Sequence, residues 1–246
     1  MPEVKQFVRL ISHTPDAEKL AAMGAKLCYS ASGIGDIETG LSPEKAKGFI
    51  ERIVDLGHLS TIEHASFTFG IEGISRTLLA QITRHRIASF SVQSQRYVSY
   101  SEQGFGYIVP PAIRALGIKA VAKYEQQMRT IQQWYDEWQQ ALGGKGEHTN
   151  EDARFVLPGA CETRMLLTMN ARELLHFFSL RCCNRAQWEI RELAWSMLKL
   201  AAGAAPALFS AAGPACVRGV CAEGSKTCGR IGEIRKKQQS IVKGTE

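Results

Sequence analysis

The stretch CETRMLLTMNARELLHFFSLR, residues 161–181, changes its hydrophobic period halfway along and thereby indicates the fold class. Up to Met169 the chain alternates between two faces, which predicts a strand. One face carries Cys161, Thr163, Met165, Leu167 and Met169. Asn170, with Glu173 three residues later, is typical of a capping pair that opens a helix. A strand that runs directly into a helix favours a mixed α/β protein.

Two helices nearer the N-terminus are predicted from their start signals. Thr14, followed by Pro15 and Asp16, has the order of a cap, a first-turn proline and a first-turn acid. The same order recurs at Ser42, and the helix that follows it is predicted to stop at Gly57.

The middle of the chain alternates between strand and helix signals. Period-two alternation over 63–72 predicts a strand, and Ser75 is a cap for a helix that continues to residue 82. A loop is predicted over the polar stretch 89–95, and a short strand over 97–100. The segment 119–142 lacks Gly and Pro, which predicts a long helix.

The C-terminal part predicts one more helix and then a tail. The helix covers about 186–202. From Gly203 onward the residues are first mostly small and then mostly polar. We therefore expect a peripheral tail at the end of the chain. No linker demands two folded domains, so the predicted organisation is one domain over 1–213 and a basic, cysteine-containing tail over 214–246.

Composition narrows the class of protein. Of 246 residues, 45% are hydrophobic and 22% charged, which is ordinary for a folded globular chain. The absence of a long apolar run or a signal-like start predicts a cytoplasmic protein that does not span a membrane. Seven cysteines, an odd number, favour reduced thiols. The net charge of +6 favours anionic partners, without separating nucleic acid from nucleotide.

Arginine is concentrated between residues 73 and 101, where the chain has no Asp or Glu. The cationic residues are Arg76, Arg84, His85, Arg86 and Arg96. Clustered guanidinium groups repel one another unless an anion lies among them, so the window predicts an anion site. Ser89, Ser91, Ser94 and Gln95 add short donors that suit phosphate oxygens. The alternative is that acids from distant parts of the fold pair with these arginines.

Three motifs in this chain resemble those of the flavin-dependent thymidylate synthases. Arg84, His85 and Arg86, then seven residues, then Ser94, reproduce the RHRx7S signature. Upstream, GHLSTIEHASFTF at 57–69 is similar to a second family segment. Downstream, NARELLHFFSLRCCNRAQWE at 170–189 is similar to a third. The resemblance runs from about residue 25 to about residue 200.

The resemblance implies a reaction, a fold and an assembly. The family makes dTMP from dUMP, with methylenetetrahydrofolate as carbon donor, FAD as redox carrier and NADPH as reductant, and it needs no cysteine nucleophile. It implies a mixed sheet flanked by helices and a homotetramer whose subunits share active sites. The alternative of a nucleic-acid-binding protein is disfavoured, because the arginines are dispersed over three distant segments.

The resemblance also implies roles for individual residues. FAD is expected at Ser60, Arg84, His85, Arg86, Asn170 and Arg172, with His176 where the flavin contact varies in the family. The substrate dUMP is expected at Gln81, Arg84, Ser94, Gln95, Arg96, Arg154 and Arg181. Arg181 is the expected catalytic residue, because it stabilises negative charge at the pyrimidine N3 and O2 and makes C5 electron-rich. His58 lies where the family has a histidine on the folate and nicotinamide side of the flavin.

Other residues leave alternatives open. Cys216, Cys221 and Cys228 can bind zinc or oxidise, but three ligands without a regular CxxC spacing favour no metal site. Cys28 is either a small buried hydrophobe or a residue near the flavin. Arg185 replaces a histidine found in many family members.

Overall fold

The computed structural model describes residues 1–244 and has a four-stranded antiparallel sheet. The strands are β1 (Phe7–His13), β2 (Ser66–Ser75), β3 (Ala88–Val92) and β4 (Glu162–Asn170), and their order in the sheet is β1-β2-β4-β3. Thr245 and Glu246, which end the predicted tail, lie outside the described residues. The mixed α/β class predicted from the sequence is confirmed.

Helices occupy most of the chain between and after the strands. They are α1 (Ala17–Leu27), α2 (Ile34–Gly40), α3 (Pro43–Asp55), α4 (Arg76–Ile82), α5 (Pro111–Ala115), α6 (Ile118–Ala141), α7 (Glu147–Ala153), α8 (Ala171–Arg181), α9 (Trp188–Ala204), α10 (Pro206–Phe209) and α11 (Ile231–Lys243). Short 3-10 helices cover Leu59–His64, Arg154–Val156, Ala215–Val217 and Gly224–Lys226. No helix among residues 1–244 is long and apolar enough to cross a membrane.

Local capping chemistry fixes the start of three helices as predicted. Ser42 accepts a hydrogen bond from the amide of Lys45 at α3, and Ser75 accepts one from Leu78 at α4, 2.9 Å away. Asn170 Oδ1 accepts one from the amide of Glu173 at α8, also at 2.9 Å. Each bond satisfies a first-turn amide that has no partner within its helix.

Three local predictions are wrong, and in the first two a distant part of the chain supplies the partner. Thr14 does not cap α1; its Oγ1 accepts a hydrogen bond of 2.9 Å from the amide of Ser66. The polar stretch predicted as a loop is partly strand, since β3 contains Ser89 and Ser91. The short strand predicted over 97–100 is absent, and those residues form turns and irregular chain.

The segment after residue 203 contains helices α10 and α11, and the described part of the predicted tail, 214–244, is largely exposed. Leu208 and Phe209 of α10 are buried core residues. Gln238 of α11 is buried, and its Nε2 donates to the carbonyl of Ser210 at 2.9 Å. The basic run in α11 is exposed, and Lys237 Nζ lies 4.7 Å from the ring centroid of Trp195.

The chain divides into two compact units. The first unit consists of Met1–Phe7, Ile71–Arg84 and Phe90–Leu166. Its core is rich in aromatic side chains and contains Tyr100, Phe105, Tyr107, Val109, Met128, Tyr135, Ala153 and Cys161. Gln139 of α6 is buried within this unit and donates through Nε2 to the hydroxyl of Tyr135 and to Oδ1 of Asn150 on α7.

The second unit consists of Val8–Gly70, His85–Ser89 and the residues from Leu167 onward. A row of ring contacts runs through its core. Phe67 meets Phe209 at 5.2 Å between ring centroids, and Phe209 meets Phe178 at 6.0 Å. Phe177 continues the row from Phe178 and packs edge-on against His85 at 5.0 Å. The apolar core thus ends at the middle residue of the RHR motif.

Candidate active site

A cavity of about 610 Å³, lined by both polar and apolar side chains, lies in the second unit. Three of the predicted cofactor residues, Asn170, Arg172 and His176, line it. The remaining lining residues are Leu59, Glu63, Ile87, Glu173, Leu175, Ser179 and Arg218. Its volume is in the range of small-molecule and cofactor sites.

Helix α8 gives the cavity its polar wall. Asn170 stands at the cap, and Arg172, His176 and Ser179 follow at the spacing that places side chains on one helical face. The opposite face carries buried residues such as Leu174 and Phe178. The same amphipathic pattern that packs α8 into the core therefore exposes these three polar side chains.

Two of the other predicted cofactor residues lie next to lining residues, and Arg172 of the lining itself pairs with an acid. Ser60 is exposed and follows Leu59, and Arg86 is exposed and precedes Ile87. Arg172 Nη1 lies 2.5 Å from Oε1 of Glu63, so this guanidinium is paired with a carboxylate. Among residues 1–244, Arg84 and Arg86 have no ion pair.

A chain of three buried or half-buried side chains connects α8 to the RHR motif. His85 Nδ1 lies 2.9 Å from Oε1 of Glu173, and both residues are buried. Arg181 Nε donates to Nε2 of His85 at 3.1 Å. The sequence prediction placed Glu173 only at the cap, whereas its carboxylate orients the imidazole.

Hydrogen-bond chemistry assigns the proton on His85. A guanidinium has donors only, so Nε2 of His85 is the acceptor for Arg181. The imidazole proton then lies on Nδ1 and is donated to the Glu173 carboxylate. Burial lowers the pKa of His85, the Glu173 hydrogen bond opposes this shift, and the charge of Arg181 reinforces it. The neutral tautomer therefore links an anion and a cation.

His85, Glu173 and His176 lie close enough to be considered as metal ligands, with their ligand atoms within 4.8 Å of one another. A metal-bound imidazole must present one unprotonated nitrogen to the ion. Both ring nitrogens of His85 are already engaged with Glu173 and Arg181. The geometry favours a hydrogen-bonded network over a metal centre.

The predicted substrate residues Ser94 and Arg96 lie on one turn of the first unit. Ser94 Oγ accepts a hydrogen bond of 3.2 Å from the amide of Arg96. Asn150 on α7 donates from Nδ2 to the carbonyl of Arg96 at 2.8 Å. Because Asn150 is itself bonded to buried Gln139, the turn is tied to the core of this unit.

Acids from α7 pair with Arg96, as the alternative interpretation of the arginine cluster held for distant acids. Its Nη2 lies 2.5 Å from Oε1 of Glu147. Its Nε lies 2.9 Å from Oε2 of Glu151, without the alignment of a hydrogen bond. The Arg96 side chain is 41% exposed, so it is held in place yet accessible to a solute.

The remaining predicted substrate residues are distributed over both units. Arg154 lies in the first unit, and its Nε donates to the carbonyl of Glu151 at 3.1 Å. Gln95 Nε2 donates to Sγ of buried Cys161 at 3.6 Å. Gln81, at the end of α4, is half-buried and also belongs to the first unit. Arg181 belongs to the second unit.

His58, Cys28 and Arg185, the other residues that the resemblance singles out, lie at the surface. His58 Nδ1 lies 3.3 Å from the hydroxyl of Tyr29, and this contact is exposed. Cys28 is exposed, not a buried hydrophobe. Arg185 binds Glu223, with Nε 3.1 Å from Oε2.

Fold and site together define the class: a mixed α/β protein with a hydrogen-bonding cavity of a size that suits a small molecule or cofactor. Residues 9–207 match the family described as thymidylate synthase complementing protein. The chain belongs to this family.

Relatives resemble the chain over nearly its whole length. It is 49% identical to a protein of Geobacter sulfurreducens named flavin-dependent thymidylate synthase, over 93% of this chain and 96% of that protein. Proteins of the same name from Clostridium tetani and Pyrococcus furiosus are 46% and 36% identical. These two matches cover 93% and 96% of this chain, and 95% and 97% of the respective relatives.

Proposed function

We propose that this chain is a flavin-dependent thymidylate synthase that methylates dUMP to dTMP. Methylenetetrahydrofolate donates the carbon, and NADPH is the reductant. Family membership and relatives at 36 to 49% identity support the assignment. The structural observation that carries it is the cavity beside α8. Glu173, which lines this cavity, binds His85, and His85 accepts a hydrogen bond from Arg181.

The cavity suits FAD because it combines guanidinium, imidazole and amide groups in a space of about 610 Å³. Its two carboxylates already have partners, Glu63 in Arg172 and Glu173 in His85. The residues that hold FAD in this proposal are Ser60, Arg84, Arg86, Asn170, Arg172 and His176. His85 acts differently: it is 5% exposed and both its nitrogens are bonded, so it supports the site through Arg181. Bound flavin supplies the redox chemistry that converts the transferred methylene into a methyl group.

Arg96 and Arg154 hold the dUMP phosphate in this proposal, with Ser94 as a short hydroxyl donor. Planar guanidinium groups bind phosphate oxygens through two parallel hydrogen bonds. Glu147 and Glu151 hold the Arg96 guanidinium before substrate arrives, and the phosphate then competes with these carboxylates. Gln81 and Gln95 complete the proposed substrate contacts.

Arg181 is the proposed catalytic residue. Its permanent positive charge stabilises the negative charge that develops at N3 and O2 of the pyrimidine, which raises electron density at C5. The hydrogen bond from its Nε to His85 fixes the orientation of the guanidinium. Orientation matters because electrostatic stabilisation requires donors that are already in place when charge develops.

The proposed route uses no cysteine nucleophile. None of the residues that line the cavity is a cysteine. Burial raises the pKa of Cys161 to about 11 and also raises that of Cys182, so these thiols carry almost no reactive thiolate at neutral pH. We further propose, from the family resemblance, a cytoplasmic homotetramer whose subunits share active sites.

A spectroscopic experiment tests the flavin assignment. Purified protein reconstituted with FAD is expected to show an oxidised-flavin spectrum that bleaches with NADPH and returns in air. Arg172→Ala is expected to weaken FAD binding, whereas Arg9→Ala, an exposed arginine on β1, serves as the matched control. Failure of the wild-type protein to retain flavin would overturn the assignment.

A further inference from the structure

Four of the seven cysteines gather around the segment between α10 and α11. Cys183 follows α8, and Cys216, Cys221 and Cys228 belong to residues 214–230. Cys216 is buried, Cys183 and Cys221 are half-buried, and Cys228 is exposed. In the sequence, Cys216, Cys221 and Cys228 form a group of three possible metal ligands. The fold adds Cys183 as a fourth.

The turn after α8 is bonded directly to the second half of this segment. Asn184 Nδ2, one residue after Cys183, donates to Sγ of Cys228 at 3.7 Å. Arg185 Nε lies 3.1 Å from Oε2 of Glu223, and its Nη1 donates to the carbonyl of Lys226 at 3.3 Å. These contacts place Cys183 next to the stretch that ends at Cys228.

Helix α11 holds the first half of the segment. Arg235 Nε donates to the carbonyl of Cys216, and its Nη2 to that of Gly219, both at 2.9 Å. Glu223, the partner of Arg185, lies two residues after Cys221, so the same ion pair brings Cys221 toward the turn that carries Cys183.

The segment 214–230 has too little apolar burial to fix its own conformation. Pro214 and Cys216 are its buried residues, and Val220 is 87% exposed. Its regular structure consists of two single-turn 3-10 helices, Ala215–Val217 and Gly224–Lys226. Short segments without a core are commonly fixed by disulfides or a structural metal.

We propose that Cys183, Cys216, Cys221 and Cys228 bind one structural zinc ion. Four thiolates are a ligand set that zinc favours, in a tetrahedron with Zn–S bonds of about 2.3 Å. On binding, each thiol releases its proton to solvent, and the centre carries a net charge of −2. Lys226 and Arg235, near the four cysteines in sequence or by the contacts above, offset this charge, whereas Arg185 and Arg230 are paired with Glu223 and Glu233.

Zinc binding requires the cluster to contract. Among residues 1–244, no three of these sulfur atoms lie within 4.8 Å of one another. In a tetrahedral thiolate site neighbouring sulfurs are about 3.8 Å apart. Rotation of a cysteine from one staggered χ1 well to the next moves its sulfur by about 3 Å. Rotation of the cysteine side chains can therefore shorten the distances between the four sulfur atoms by the amount that zinc binding requires.

The proposed zinc site adjoins the active-site cavity in sequence. Arg218, which lines that cavity, lies between Cys216 and Cys221, and Cys183 lies two residues after Arg181. Cys216, Cys221 and Cys228 also lie beyond residue 207, where the family match ends. The proposed ion is thus a feature of the C-terminal segment and separate from the synthase reaction.

Metal analysis of the reduced full-length protein tests the proposal. We expect about one zinc per chain after removal of loosely bound metal, in line with a single tetrathiolate site. Cys216→Ser and Cys228→Ser are expected to lose the zinc. Cys28→Ser and Cys161→Ser are the matched exposed and buried controls, and they are expected to retain it. Equal zinc content in cluster and control variants would overturn the proposal.

A second measurement keeps the test valid if the cluster variants misfold. Wild-type protein stripped of metal under reducing conditions is titrated with Co²⁺, which reports tetrahedral thiolates through an intense sulfur-to-cobalt charge-transfer band. Zinc is also expected to slow tryptic cleavage after exposed Lys226 and Arg230. Stripped protein that keeps its circular dichroism but shows neither band nor protection, or that forms a disulfide within the cluster instead, would contradict the zinc site.

Discussion

Replacing Glu173 with Gln tests how Arg181 is positioned. The amide has the size of the carboxylate, so the change creates no cavity at a residue that is 7% exposed. It removes the negative charge that accepts the Nδ1 proton of His85, 2.9 Å away. The tautomer of His85 with its proton on Nδ1 is then less favoured, and Nε2 is a less reliable acceptor for Arg181.

The expected size of the effect follows from the hydrogen bond that is weakened. A bond to a charged acceptor contributes about 1.5 to 3 kcal/mol and a neutral one about 0.5 to 1.5 kcal/mol. The difference, about 1 kcal/mol, should appear as a loss of unfolding free energy. If the same energy orients Arg181 in the transition state, the rate of dTMP formation falls about fivefold, since a factor of ten corresponds to about 1.4 kcal/mol.

The pH profile separates a positioning role from a purely structural one. Burial lowers the pKa of His85, so the folded state favours the neutral ring. This contribution to stability is present above the ordinary value of about 6.5 and is lost as pH falls through the folded-state pKa. A protonated ring cannot accept from Arg181, so activity has an acid limb in this window. Because Glu173 raises the pKa, Glu173→Gln should move that limb to lower pH.

Single-turnover dTMP formation across pH, together with urea unfolding, measures both effects on protein loaded with FAD and dUMP. Glu192→Gln, on the exposed side of α9, makes the same chemical change away from the site. If Glu173→Gln matches this control in rate and in acid limb, the proposed positioning through His85 is refuted.

Three further predictions address the substrate side. Arg181→Ala should lower the rate at saturating dUMP by about 10² to 10³-fold, as for loss of an electrostatic donor, and an unchanged single-turnover rate would contradict its role. Arg96→Ala should weaken dUMP binding by about one to two powers of ten, and Asn150→Ala by less, with FAD affinity retained in titrations; equal loss of both ligands would indicate a role in folding. Denaturing the enzyme during turnover of a 5-fluoro substrate should leave no nucleotide linked to cysteine, and a mapped cysteine adduct would disprove the thiolate-free route.

Elements defined by neighbouring residues could be predicted from the sequence. The caps at Ser42, Ser75 and Asn170 bond to amides three residues away, so their signal is local. Strand β3 could not be predicted, because its polar residues gain strand structure only through pairing with β4. Helix α10 was missed because small residues surround its buried Leu208 and Phe209.

The same distinction applies to the site. The motif residues Asn170, Arg172 and His176 line one cavity, and that they hold FAD there stays a prediction from the resemblance. Partners from distant sequence positions escaped prediction: Glu147 lies 51 residues from Arg96, and Glu173 lies 88 residues from His85. The local signal at Glu173 was also misleading. A glutamate three residues after the cap fits the pattern of a capping pair, so nothing in the sequence pointed to a contact with His85.

Direct product analysis tests the central claim. Protein loaded with FAD is mixed with dUMP, methylenetetrahydrofolate and NADPH, and the nucleotides are separated and identified by mass spectrometry. The account predicts dTMP that accumulates over repeated turnovers, requires all four components and is strongly reduced in Arg181→Ala. Folded, flavin-loaded wild-type protein that converts no dUMP to dTMP under these conditions would contradict it.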